Sequence, residues 1–144
     1  QILGTNLLAP RHHGIYDMNK IIEIIKNNLT VDLLTRKWKE KNIGNPMAGY
    51  CYYASAVLKR FYPKEVMLYR GVDHEGEYHW WCQTKSGDII DITAEQYTSK
   101  GFTPPYEKGE KKGPLGFSYR DKARLLEQRV LNELGLESLE DFTK

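Results

Sequence analysis

A thiol at Cys51, an imidazole at His79 and a carboxylate at Asp91 could together make and break acyl bonds. A cysteine attacks a carbonyl as thiolate, so it needs a base within hydrogen-bond reach. The base in turn needs a third group to fix its tautomer. Cys51 stands where Asn45-Pro-Met-Ala-Gly49, a stretch of turn chemistry, gives way to Ala54, Val57, Leu58 and Phe61 at helical spacing. That places the cysteine in the first turn of a helix. The unpaired N–H groups and the positive dipole end found there favour thiolate over thiol.

The base and its orienter fall in strand chemistry. Val66 to Val72, Glu77 to Gln83 and Asp88 to Thr93 read as three strands, joined by turns at 73–76 and 85–87. Alternation puts Glu77, His79, Trp81 and Gln83 on one face and Tyr78, Trp80 and Cys82 on the other. With Gln83 to Gly87 as the hairpin loop, His79 lies directly opposite Asp91, with Cβ atoms about 5 Å apart. A slip of one residue would break that register. Asp88 is the rival for the orienter's role. Cys82 faces away from His79 and reads as structural. Asn45, six residues before the cysteine, carries an amide that could share an oxyanion with the Cys51 backbone N–H.

The elements around this group are helical. Asn19 to Asn28 reads as a helix with an isoleucine face, and Thr30 caps a second helix from Val31 to Lys41, buried through Leu33, Leu34 and Trp38. Pro63 ends the cysteine helix. Ala94 to Tyr97 reads as one helical turn. Residues 98–118, rich in glycine and proline, read as a loop long enough to cover a site. Its run Glu107 to Lys112 is a solvated segment, a lid, or an anion patch of Lys108, Lys111, Lys112 and Arg120. Tyr119 to Leu134 is the clearest helix, closed by Gly135, and Ser138 caps a short last one. Residues 1–17, with His12-His13, read as an irregular surface loop. Helices, then strands, then a helix predict one α+β domain over 1–144, with its core at about 19–134. Its sheet is an antiparallel meander of at least three strands packed against helices.

Composition narrows the function classes. The chain has 144 residues, 40% hydrophobic and 28% charged, which is ordinary for a globular domain. A net charge of +2 gives no electrostatic case for nucleic acid or membrane. Two cysteines make no disulfide framework and predict reduced thiols in a cytoplasmic protein. Gln1 to Pro10 lacks the basic start and apolar run of a signal peptide. Ten tyrosines and three tryptophans suggest aromatic walls around a pocket as well as core. His74, His79, Cys51 and Cys82 lack metal-ligand spacing, so neither metal nor cofactor is expected.

A helix opening on a cysteine, a histidine on one strand and an aspartate on the next resemble the papain-like and transglutaminase-like cysteine hydrolases. Cys51-Tyr-Tyr-Ala-Ser, His79-Trp-Trp, Gly87-Asp-Ile-Ile-Asp91-Ile-Thr-Ala-Glu-Gln96-Tyr and the Tyr106…Gly109…Gly113 loop resemble, more narrowly, a group of small bacterial and phage proteins. The likeness spans about residues 44–130. It implies Cys51 as nucleophile, His79 as base and Asp91 as orienter. Papain-like enzymes carry glutamine where this chain has the shorter Asn45. Tyr50, Trp81, Gln96 and Tyr106 are expected to contact the substrate. The expected activity is hydrolysis or acyl transfer on a peptide, isopeptide or small amide through a thioester. The alternative is a non-catalytic, phage-type protein that holds a small ligand or inhibits a partner through the same pocket.

Overall fold

The computed structural model describes residues 17–116 and 118–143. The expected loop at the start of the chain, with its two histidines, lies outside them but for its last residue, Asp17. Six helices and four strands follow in the order α1 Met18–Asn27, α2 Arg36–Asn42, α3 Cys51–Phe61, β1 Val66–Val72, β2 Tyr78–Thr84, β3 Ile89–Ile90, α4 Glu95–Thr98, β4 Glu110–Lys111, α5 Asp121–Leu134 and α6 Leu139–Thr143. The strands form one antiparallel sheet in the order β3-β2-β1-β4. The class is therefore α+β, a four-stranded antiparallel sheet packed with helices.

α3 is the central element. It packs on β1 and β2 with one side and on α1, α5 and α6 with the other. Its sequence dictates this: Ala54, Ala56, Val57, Leu58 and Phe61 are all buried, so apolar surface wraps most of the helix. Ile21, Ile24 and Ile25 of α1 and Ala123, Leu126 and Val130 of α5 close over it in one cluster. Each fully buried side chain of Ile or Leu size contributes about 1.5–3 kcal/mol. Gly49 fixes the entry to α3. Its φ is +97°, and a Cβ there would stand 2.7 Å from Leu34 Cδ2.

Several expectations about elements are corrected. The helix expected from Val31 to Lys41 is two pieces, a 3₁₀ turn Val31–Leu33 and then α2. Burial of both Leu33 and Leu34 draws the chain inward at the break. Thr30 precedes the first piece but gives its backbone no side-chain cap; its hydroxyl bonds Asp32 instead. The third strand is only two residues long, and its register pairs Cys82 with Ile90 and Gln83 with Ile89, two residues away from the expected pairing. A slip of two keeps every side chain on its face, so the expected faces survive.

The loop at 98–118 also holds structure. β4 pairs with β1 through Tyr69 and Lys111 and through Arg70 and Glu110. Ahead of it, Pro104 to Gly109 forms a strap across the sheet face opposite α3. The strap lies on Trp81, which is fully buried. Two glycines allow this approach: a Cβ on Gly109 would meet Trp81 Cζ2 at 2.4 Å, and one on Gly71 would meet the Pro105 carbonyl at 2.8 Å. Among the described residues, no helix is long and apolar enough to cross a membrane.

Candidate functional site

Cys51 is the first residue of α3 and is half-buried. Its Sγ lies 4.0 Å from the carbonyl oxygen of Tyr78 on β2. β3 pairs with β2 only at Cys82 and Gln83, so the start of β2 has a strand neighbour on one side only, β1. The first turn of α3 comes alongside that start. Its first N–H groups, that of Cys51 among them, have no partner within the helix.

His79 is fully buried. Nε2 makes a 2.7 Å hydrogen bond to Asp91 Oδ2, and Asp91 is equally buried. Nδ1 has no hydrogen-bond partner. Cys51 nevertheless stands near enough for its thiolate to favour the imidazolium. Burial opposes charge on the ring, but Asp91 and then Cys51 outweigh it, and the imidazole is pushed up to about 10. With Nε2 facing the carboxylate, Nδ1 is the nitrogen left to exchange a proton with the sulfur.

Asp91 is itself held. The Tyr106 hydroxyl donates to Oδ2 at 2.7 Å, and the Thr93 N–H to Oδ1 at 3.3 Å. Burial, then the Asp91 charge, raise the Tyr106 pKa, so this hydroxyl stays a donor. The imidazole lies between two rings. Trp81 stacks on it at 5.7 Å and Tyr97 meets it edge-on at 4.7 Å. Tyr97 donates to Asp73 Oδ2 at 2.8 Å. Asp73 also accepts the N–H groups of Glu75 and Glu77, which outweighs burial and lowers its pKa. Asp88, the rival orienter, is engaged in the hairpin turn with Thr84 and Ser86.

Cys51, His79 and Asp91 thus come together, whereas the expected accessory residues divide. Asn45 does not serve Cys51: its Nδ2 donates to the Gln96 carbonyl at 2.8 Å. Tyr50 is packed into the core and Trp81 lies buried under the strap. Tyr106 acts on Asp91 instead. Gln96 and Asn45 both line open space, a cleft of about 350 Å³ that they share with Trp38, His74, Tyr97 and Phe102. One wall of the cleft is the ring of Tyr97, the same ring that contacts His79. His74 stacks on Phe102 at 3.8 Å. Sequence reasoning missed Tyr97 and Asp73. The Asp73 turn had a signal, an aspartate opening a tight turn; the inward aim of Tyr97 had none. No group of three or more metal-ligating side chains exists among the described residues.

The fold is an α+β sheet-and-helix domain with a thiol, an imidazole and a carboxylate at one helix end. The family model described as YunG protein matches residues 15–135, most of the chain, and the chain belongs to that family. No curated protein and no solved structure matches it.

Proposed function

We propose that this protein is a cysteine hydrolase or acyltransferase acting on an amide, of papain-like or transglutaminase-like kind. One observation carries the reading. A sealed imidazole is anchored on Asp91 through Nε2, its Nδ1 is unpartnered, and a half-buried thiol at a helix start stands near enough to act on the ring. The raised imidazole pKa keeps the ring protonated at neutral pH, with a proton to give.

In the proposed cycle the Cys51 thiolate attacks the amide carbon. The C=O electron pair moves to oxygen, where first-turn N–H groups of α3 receive the charge. The His79 proton passes from Nδ1 to the amide nitrogen, the C–N bond breaks, and an amine leaves a thioester on Cys51. Water, or a second amine, then attacks the thioester and gives its proton to Nδ1. The C–S bond breaks and the thiolate returns.

The test is to trap the intermediate. On incubation with peptide, isopeptide and small primary amides, intact mass should show an adduct on Cys51 that hydroxylamine removes. Cys51→Ala should show none. If no amide leaves an adduct or a product, the catalytic reading fails. The second reading is a protein that holds a ligand in the cleft without turnover. It is favoured by Asn45, whose amide is engaged by Gln96 and not by the site. Ligand binding that persists in Cys51→Ala, without product from the intact protein, would establish it.

A further inference from the structure

The cleft lies on the His79 side of β2. The opposite face offers a second surface beside Cys51. α3 covers that face only from its own first turn onward. Cys82 is fully buried and its Sγ donates to the Ser55 carbonyl at 3.3 Å. Trp80 is half-buried against Tyr52, at 4.9 Å between rings. Tyr78 is 53% exposed. The strand runs out from under the helix where the helix begins, beside the Cys51 sulfur.

Arg70 of β1 pairs with Trp80 and so shares that face. Its guanidinium lies over the Tyr78 ring, 3.9 Å from the centroid, and reaches the Trp80 ring at 5.4 Å. Glu110 is its cross-strand neighbour on β4, yet no carboxylate among the described residues forms an ion pair with Arg70. Contact with the Tyr78 ring restrains the guanidinium. The N–H donors, which lie in its plane, remain for a planar acceptor. A restrained, unpaired guanidinium of this kind matches a carboxylate, which accepts two parallel N–H bonds.

We propose that the ledge of Arg70, Tyr78 and Trp80 is a subsite for a carboxylate, so the amide presented to Cys51 belongs to an anionic molecule. The inference rests on Cys51 being the nucleophile, and it adds a substrate class to that reading. The carboxylate is either a chain-terminal one or the side chain of an acidic residue beside the amide. Such a molecule would lie across the helix start, with its carboxylate on the ledge and its amide at the sulfur.

The test uses matched alkylating reagents. N-chloroacetyl-glycine carries a terminal carboxylate, N-chloroacetyl-aspartic acid α-amide a side-chain one, and N-chloroacetyl-glycinamide neither. Labelling of Cys51 is followed by mass spectrometry at neutral pH. At least one carboxylate reagent should label faster than the neutral one, by about tenfold, the scale of a hydrogen bond to a charged group. The faster of the two names the source. The preference should vanish in Arg70→Gln, be partial in Arg70→Lys, and shrink as salt is raised. His79 is present in every variant, so the Arg70 series separates the ledge from the imidazolium. Equal rates for charged and neutral reagents, or a preference that survives Arg70→Gln, overturn the ledge and leave the nucleophile standing. A Cys51 that ignores the neutral reagent as well overturns both.

Discussion

Cys51 begins α3, and Cys82 lies in the middle of β2, the strand on which α3 packs. Both are free thiols. Cys51 is half-buried, has unpaired helix N–H groups beside it and stands next to an imidazole. Cys82 has no exposed surface, and its thiol donates to the Ser55 carbonyl. Burial, followed by the Asp91 charge, pushes its pKa up, which keeps it protonated. A thiol's surroundings are therefore decided by its place on an element. A helix start at the surface exposes sulfur to a base, and a strand centre under a helix turns it into a small core side chain.

The largest expected effect tests the contrast directly. Iodoacetamide at neutral pH should label Cys51 and reach Cys82 only through unfolding, with rates at least about a thousandfold apart. Comparable labelling in the native protein would erase the distinction. Next, His79→Gln should slow Cys51 labelling by about a hundredfold and leave the protection of Cys82 unchanged. A variant that reacts at the wild-type rate would show that the imidazole does not activate the sulfur.

The same imidazole makes a pH prediction. Its folded pKa of about 10 lies above the ordinary 6.5, so the folded state holds this proton to higher pH than the unfolded chain does. The resulting stabilisation is complete below about pH 6.5 and is lost as pH rises through about 10. Denaturant midpoints across that window should fall in the wild type and flatten in His79→Gln. Tyr106→Phe removes a donor from the Asp91 carboxylate. It should cost about 1.5–3 kcal/mol, read by denaturant unfolding, and should slow Cys51 labelling. The smallest effect is expected of Cys82→Ala, about 1 kcal/mol of stability, with Cys51 labelling unaltered.

The sequence carried the parts of this arrangement that depend on local pattern. α1, α3 and α5 were legible from apolar spacing, β1 and β2 from strand chemistry and turns. The meeting of His79 with Asp91 was legible because alternation fixes a face even when register is off by two. What could not be read depends on contacts distant in sequence. β4 is two residues long and exists because β1 offers a free edge. Tyr106 is 15 residues from Asp91, and only the course of the strap makes it a hydrogen-bond donor there. Asn45 sits at a plausible offset from Cys51, but no local rule reveals that the Gln96 carbonyl takes its amide.

The paired glycines under and over Trp81 have a consequence for genetics. Any side chain at position 109 would lift the backbone that carries Tyr106, and Asp91 would lose an anchor without being altered. If the proposed function holds, a screen for inactive variants would mark Gly109 as strongly as Cys51, His79 and Asp91, although it supplies no reacting atom. Intolerance at that position would report the thickness of an indole ring.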